Sequence, residues 1–126
     1  MRALDTNVLL RLLVRDDRRQ TAAAEAFVAE GAWVSHLVLV EAIWVLYAVY
    51  EREAAQLIAA LEMLLAHRQL VLQDADTVAA ALAHFKRRPA LGFSDCLILE
   101  VARKAGHVPL GSFDKALAGL PQTQRL

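Results

Sequence analysis

Short apolar runs alternate with segments of helical periodicity along the whole chain. The spacing predicts strands and helices in alternation. Because strands that alternate with helices form parallel sheets covered on both faces, the pattern predicts a three-layer α/β/α fold with a central parallel sheet. The predicted strands are residues 2–4, 33–35, 70–72, 108–110 and a weak one at 123–126. The predicted helices are residues 6–14, 16–30, 37–50, 54–67, one marked by Val78, Leu82 and Phe85, and 94–105.

Small and polar residues mark the ends of the predicted helices. Gly31 and Gly106 close two of them, and residues 86–89 end another. A serine can accept hydrogen bonds from the first backbone N–H groups of a helix, so we expect Ser94 to cap the helix that follows it. The chain has no proline- or glycine-rich linker, low-complexity tract or internal repeat, and we therefore predict a single domain over residues 1–126.

Composition narrows the class of protein. Hydrophobic residues make up 57% of the 126 positions, which excludes intrinsic disorder. Cys96 is the only cysteine, so a disulfide framework and a zinc site of paired thiolates are excluded and a reducing compartment is expected. The 14 basic and 14 acidic side chains cancel, so any binding of nucleic acid must come from a local patch.

One apolar segment has the length of a membrane span. Residues 32–50 carry Glu41 as their only formal charge. A carboxylate in the middle of a span costs about 2.5 to 3.5 kcal/mol on insertion scales, and residues 33–35 have the character of a strand, so we reject the span. Since the N-terminal residues also lack the apolar stretch of a signal peptide, we expect a cytoplasmic protein.

Acidic residues follow the predicted strands or begin the helices after them. Asp5 comes directly after the first strand, and Glu41 lies in the opening turns of the helix after the second. Asp95 stands at the start of the last helix, and Asp114 follows the fourth strand. Ligands of parallel α/β sheets bind beyond the carboxyl ends of the strands, so these four acids are the candidate functional site.

Four carboxylates that meet at one sheet edge would need a cation. Each pair at about 4 Å would repel by around 4 kcal/mol at an effective dielectric constant of about 20. Mg²⁺ or Mn²⁺ suits an all-oxygen site of this kind. Such an ion makes water a nucleophile near neutral pH, and one or two ions can stabilise the in-line displacement of a phosphodiester.

Each acid also has a purely structural alternative. Asp5 could cap the helix that starts at Thr6, and Asp95 could simply favour a helix N-terminus. Asp114 could be a turn or cap residue. Glu41 is harder to explain in this way, because it is an isolated charge among apolar residues and a buried charge needs a partner. A structural salt bridge is the alternative for Glu41.

Four segments carry acidic residues in a fixed order: residues 5–10, Glu41 in its helix, residues 94–98 and residues 112–117. In this order they resemble the acidic motifs of PIN-domain nucleases and, more narrowly, those of the VapC toxins of type II toxin–antitoxin systems. The resemblance covers essentially the whole chain, and the ordered set is more specific than any one motif. Ser112 stands where threonine is commoner in the family and Cys96 where alanine is usual; neither departure removes a carboxylate.

The resemblance implies a PIN-like fold and a Mg²⁺- or Mn²⁺-dependent endoribonuclease toxin. It also implies a homodimer and inhibition by a small cognate antitoxin. Asp5, Glu41 and Asp95 would hold the principal metal, Asp114 would contribute to that or a second ion, and Asn7 and Ser112 would be polar supports. Metal-activated water would then cleave RNA without a covalent enzyme intermediate.

Other functions are compatible with parts of the sequence. A non-catalytic PIN-like protein-interaction module would keep the fold, and the intact acid set disfavours it. An aspartate-phosphorylated receiver domain would need adjacent acids at the first strand and a late lysine at a strand end, and neither is clearly present. A haloacid-dehalogenase-like phosphatase would need a second acid two residues after Asp5, where this chain has Asn7.

Local basic groups supply the candidates for RNA contact. Arg11 and Arg15 lie one helical turn apart and close in sequence to Asp5, which makes them the best candidates for phosphate contacts. The basic group at residues 86–88 is better explained by the preference of helix C-termini for cations. The four histidines lack the spacing of a zinc motif, and a helical thiol such as Cys96 is more often buried than catalytic.

Apolar surface exceeds what a domain of this size is expected to bury. Residues 38–50 are apolar on nearly every face, and the stripe within residues 57–65 adds another face. Because large exposed apolar patches mark interfaces, we expect one patch to close a two-fold homodimer and the other to accept an antitoxin helix. A basic side chain of that partner could then reach the acids and displace the metal. The alternative is that the two helices simply pack together.

Overall fold

All predicted strands and helices are present in the computed structural model of the protein, which describes every residue from Met1 to Leu126. The predicted ends lie within two residues of the observed ones. The strands are β1 (Arg2–Ala3), β2 (Ala32–Val34), β3 (Leu70–Leu72), β4 (Leu110–Ser112) and β5 (Thr123–Arg125). The α-helices are α1 (Thr6–Val14), α2 (Arg18–Val28), α3 (His36–Ala48), α4 (Ala54–Ala66), α5 (Ala75–Arg87) and α6 (Phe93–Lys104).

The strands pair in parallel and form two sheets. One sheet has the order β1, β2, β3, and the other consists of β4 and β5. The chain divides into two compact units, Met1–Ala75 and Asp76–Leu126, which we call the first and the second unit. The predicted α/β class with parallel strands is therefore confirmed. None of the helices has the length and apolar character that crossing a membrane requires.

The first unit is organised by the alternation of side chains along its strands. Trp33 of β2 and Val71 of β3 are register partners and are exposed, whereas their neighbours along each strand are buried. Successive side chains of a strand point to opposite faces, so one face of this sheet belongs to the core. Helix α1 packs against α2 and α3, and α4 packs against β3. The largest fully buried side chains of the unit are Leu9, Val34, Leu39, Leu61 and Leu64.

Helices α3 and α4 differ in how much apolar surface they leave exposed. The α4 stripe is buried at Leu57, Leu61 and Leu64, so this face of the helix belongs to the core of the unit. The two helices also touch each other, as the alternative expected. By contrast, α3 leaves Leu37 84% exposed and Trp44 62% exposed. The uncovered apolar face therefore lies on α3.

The second unit packs α5 and α6 around an aromatic pair. The rings of Phe85 in α5 and Phe93 in α6 meet edge to face, with centroids 6.3 Å apart. Leu97, Leu99 and Cys96 of α6 add to the same core. Strand β4 pairs with β5, and this pairing places Ser112 opposite Arg125 at the carboxyl end of the sheet.

Helix α6 begins differently from the prediction. Its N-cap is Gly92, which has a φ of 78°, and Ser94 lies inside the helix without capping it. A positive φ costs glycine little because glycine has no Cβ atom. A short 3-10 turn, Pro89–Leu91, leads into this glycine, whose N–H donates to the carbonyl of Pro89 at 3.2 Å. The predicted Ser94 cap is therefore wrong, because the turn at Gly92 sets the helix start.

Candidate active site

Asp5 follows β1 and caps helix α1. Its Oδ1 atom accepts a hydrogen bond from the N–H of Val8 at 3.1 Å. This is the structural role that the sequence offered as an alternative, and it engages only one of the two carboxylate oxygens. The side chain is exposed at the carboxyl end of its strand. Capping therefore leaves Oδ2 available to a ligand.

Polar groups also follow the other two strands of the first sheet. The backbone N–H of His36 donates to the side-chain oxygen of Gln73 at 2.8 Å, and His36 Nε2 lies 2.8 Å from the Gln73 carbonyl oxygen. The hydroxyl of Ser35 caps α3 by accepting from the N–H of Val38 at 3.1 Å. The carboxyl edge of this sheet is thus polar at all three strand ends. The hydrogen bonds between His36 and Gln73 join the ends of β2 and β3.

Glu41 lies on the exposed side of α3. It shares this side with Leu37 and Trp44, which are four residues before it and three after it. The expectation that Glu41 is a buried charge is wrong, because α3 turns this face to solvent. The salt-bridge alternative is not realised either, since no lysine, arginine or histidine pairs with Glu41.

Asp95 and Asp114 interact within the second unit. Asp95 is half-buried in the first turn of α6, and its pKa is raised, first by burial and then by the negative charge of Asp114. Asp114 is held after β4 by two kinds of hydrogen bond. Its N–H donates to Ser112 Oγ at 2.9 Å, and its Oδ1 accepts from the N–H groups of Ala116 and Leu117 at 2.8 and 3.0 Å. The structure therefore places these two predicted acids close enough for the charge of one to act on the other.

The electrostatics of this pair favour a cation. No basic side chain forms an ion pair with any of the four acids. Two like charges that raise each other's energy are relieved by a bound metal ion, and carboxylate oxygens suit Mg²⁺ or Mn²⁺. The donor chemistry of Asp95 and Asp114 thus fits the predicted metal. No group of three or more histidine, cysteine, aspartate or glutamate side chains is arranged as a metal site.

The two predicted supporting residues have different surroundings. Ser112 contacts the Asp114 backbone directly through its hydroxyl, which is a positioning contact. Asn7 is exposed in the first turn of α1, and its side chain makes no hydrogen bond. A role for Asn7 in orienting water or a ligand stays a prediction.

The predicted RNA-binding arginines are both engaged by acids. Arg11 Nη1 lies 2.5 Å from Asp16 Oδ1, and its Nη2 donates to the hydroxyl of Tyr50 at 3.0 Å. The Tyr50 hydrogen bond and the charge of Asp16 raise the pKa of Arg11. Arg15 pairs with Glu25 and ends α1 in a left-handed conformation, about 15 Å along the helix from Asp5. Phosphate contact by either arginine stays a prediction, and it would have to compete with these acids.

A buried charged network in the second unit was not foreseen from the sequence. Glu100 Oε1 lies 2.7 Å from His84 Nε2 and 2.6 Å from Arg103 Nη1. Arg103 Nη2 also donates to the carbonyl of Pro121 at 3.1 Å, and Arg87 Nη2 lies 3.1 Å from His84 Nδ1. The available signal was an acid inside the apolar run of residues 97–101. The network ties α5, α6 and the segment before β5 together.

The cysteine beside Asp95 is a poor nucleophile. Burial is the largest cause that raises the pKa of Cys96 to about 11, and the charges of Asp95 and Glu100 raise it further. The thiol therefore stays protonated at neutral pH, because thiolate is the reactive form and its formation is disfavoured here. This agrees with the structural explanation of Cys96.

A cleft in the first unit contains none of the four acids. It has a volume of about 490 Å³ and is open to solvent between α1, α2 and α4. The Arg15–Glu25 ion pair lines it together with Met63 and His67. Size alone would favour this cleft as a binding site, whereas the chemistry of the acids favours the strand ends.

Comparison with known proteins identifies the family of the chain. A family model described as PIN domain matches residues 2–121, and the match spans both units. No curated protein and no solved structure matches the chain.

Proposed function

Because this chain belongs to the PIN domain family, we propose that it is a metal-dependent endoribonuclease. Members of this family are generally metal-dependent nucleases that use divalent ions. The observation that carries the proposal is the pair of Asp95 and Asp114, two interacting acids without a basic partner. When bound there, Mg²⁺ or Mn²⁺ would neutralise the acids, polarise the phosphodiester and make water a nucleophile at neutral pH.

In this proposal, the chain's own residues bind the metal ion and position the reacting groups. Asp95 and Asp114 hold a cation, and Asp5 and Glu41 are the further proposed metal ligands. Asp114 uses Oδ1 to order the turn after it, which leaves Oδ2 for the ion. Ser112 fixes the Asp114 backbone, and Asn7 orients water or substrate. Water attacks the phosphorus directly, the bond from phosphorus to the departing ribose oxygen breaks and that oxygen takes up a proton, so no covalent enzyme intermediate forms.

Metal dependence is the direct test of this activity. We expect the purified protein to cleave single-stranded RNA in Mg²⁺ or Mn²⁺, to stop in excess chelator and to resume when the ion is restored. Cleavage is measured on a labelled RNA by gel electrophoresis. An equal rate in chelator would contradict the proposal, and no cleavage with any divalent ion would favour the non-catalytic interaction module.

The more specific part of the proposal is a VapC-like toxin that acts in the cytoplasm. Its support is the ordered set of motifs around Asp5, Glu41, Asp95 and Asp114. A small cognate antitoxin would inhibit it by bringing a lysine or arginine to the acids in place of the metal. The support for this mode of inhibition is that the acids lack any basic partner within the chain.

A homodimer formed through α3 completes the proposal. Trp44 and Tyr47, three positions apart, are large side chains exposed on the part of this helix that follows Glu41. A two-fold interface would bury them against their own copies. We expect Trp44→Asp to convert a dimer to a monomer in light scattering, because a buried unpaired charge opposes association. Val101→Asp on α6 is the control and should stay dimeric; a wild-type monomer at micromolar concentration would contradict the dimer.

A further inference from the structure

Phe113 is an exposed aromatic side chain beside the acid pair. It stands between Ser112 and Asp114 at the carboxyl end of β4, and 80% of its surface is accessible to solvent. The face of this ring is therefore open to a ligand. No other part of the chain stacks on it.

Charged residues flank Phe113, and Leu126, whose N–H donates to the Ser112 carbonyl at 2.9 Å, adds one exposed apolar side chain. Lys115 is exposed, and Arg125 is exposed on β5 directly opposite Ser112 in the parallel register. Neither cation forms an ion pair with an acid of the chain. The end of this sheet therefore presents an aromatic ring, two unpaired cations and the carboxylate of Asp114.

We propose that Phe113 is a stacking platform for a nucleobase of single-stranded RNA. On this inference, Lys115 and Arg125 contact the phosphates on either side of that base. Single-stranded bases expose the flat faces that an aromatic ring can cover, whereas the bases of a duplex are already stacked. The inference rests on the proposed ribonuclease function and adds a base-binding position to it.

The surroundings of the ring favour RNA over a protein partner. Centres of protein interfaces are poor in charged residues, and Phe113 is flanked by Asp114, Lys115 and Arg125. Cations next to an aromatic ring match instead the alternation of phosphate and base along a single strand. A second copy of the chain that covers Phe113 is the competing outcome of the test below.

The test measures RNA binding without cleavage. A short single-stranded RNA with 2-aminopurine in place of adenine is titrated with the protein in chelator, and stacking is detected as quenching of its fluorescence. Loss of one stacked base corresponds to roughly a 5- to 150-fold loss of affinity. We expect Phe113→Ala and Phe113→Leu to lose affinity in this range together with quenching, and Phe113→Tyr to keep both.

The control uses an exposed aromatic residue of the first unit that lies outside α3. Trp33→Ala on β2 removes such a ring and should leave affinity and quenching unchanged. Wild-type affinity and quenching in Phe113→Ala would overturn the inference. So would a Phe113→Ala variant that changes only the oligomeric state, because the ring would then belong to a protein interface.

The two proposals fail in different ways. If the wild-type protein binds and quenches the RNA through Phe113 but never cleaves RNA, the stacking inference stands and the nuclease function falls. If the wild-type protein cleaves RNA while Phe113→Ala binds as tightly as wild type, the nuclease function stands and the stacking inference falls.

Discussion

Asp95→Asn should lower the rate of RNA cleavage by several orders of magnitude and leave the chain folded. The substitution keeps the shape of the side chain and removes the negative charge that a divalent ion needs. Asp5→Asn should have an effect of the same order. Asparagine caps a helix as well as aspartate does, so Asp5→Asn keeps the hydrogen bond from Val8 and changes only the proposed metal ligand.

Asp17 supplies a control matched to Asp5. It caps α2 by accepting from the N–H of Gln20 at 2.9 Å, which is the same structural role in a neighbouring helix. Asp17→Asn should therefore keep full cleavage. Calorimetry should show weaker binding of Mn²⁺ to Asp5→Asn and Asp95→Asn than to Asp17→Asn. Equal cleavage by all of these proteins, in preparations free of contaminating nuclease, would remove the acids from the active site.

The stability of Asp95→Asn checks the electrostatics independently of catalysis. Burial and the charge of Asp114 raise the pKa of Asp95 above 3.8, so the folded state disfavours the charged form. The wild-type chain therefore has its full stability below the ordinary pKa of aspartate. It loses part of that stability as pH rises through the raised pKa of Asp95 in the folded state. The free energy of unfolding of Asp95→Asn, relative to wild type, should therefore increase from about pH 3 to neutral pH in urea titrations. A less stable variant at neutral pH would contradict this account.

Glu100→Ala should destabilise the folded chain by about 3–5 kcal/mol. The glutamate is buried and accepts from both His84 and Arg103, so its removal leaves buried donors without their acceptor. The arginine would also lose the contact that aligns it with the Pro121 carbonyl. The free energy of unfolding is measured by denaturant titration, and Glu100→Gln, which keeps an acceptor oxygen, should lose less.

An exposed ion pair of the same unit is the control for Glu100. Lys104 Nζ lies 2.9 Å from Asp76 Oδ2, and both side chains are largely in solvent. Exposed pairs contribute at most about 1 kcal/mol, so Lys104→Ala should have a small effect. If Glu100→Ala were no more destabilising than Lys104→Ala, the buried network would have no special role in holding α5 and α6 together.

Local patterns in the sequence were sufficient for the order of the elements. The stripe of Leu57, Leu61 and Leu64 predicts α4, and residues 70–72 predict β3, because apolar periodicity depends only on neighbours a few positions apart. The start of α6 shows the limit of such reasoning. Ser94 and Gly92 are both local signals, and the backbone turn at Gly92 set the boundary two residues before the serine.

The sequence also identified the candidate acids, because the order of the elements shows which residues follow the carboxyl ends of the parallel strands. It grouped Asp5, Glu41, Asp95 and Asp114, and in the structure the charge of Asp114 acts on Asp95. Tertiary structure alone decided the surroundings of the other charges. The exposure of Glu41 depends on what packs against α3, Arg11 is held by Tyr50 from 39 positions away, and Glu100 finds His84 on another helix. Burial and long-range pairing depend on which surfaces meet, and no local pattern contains that information.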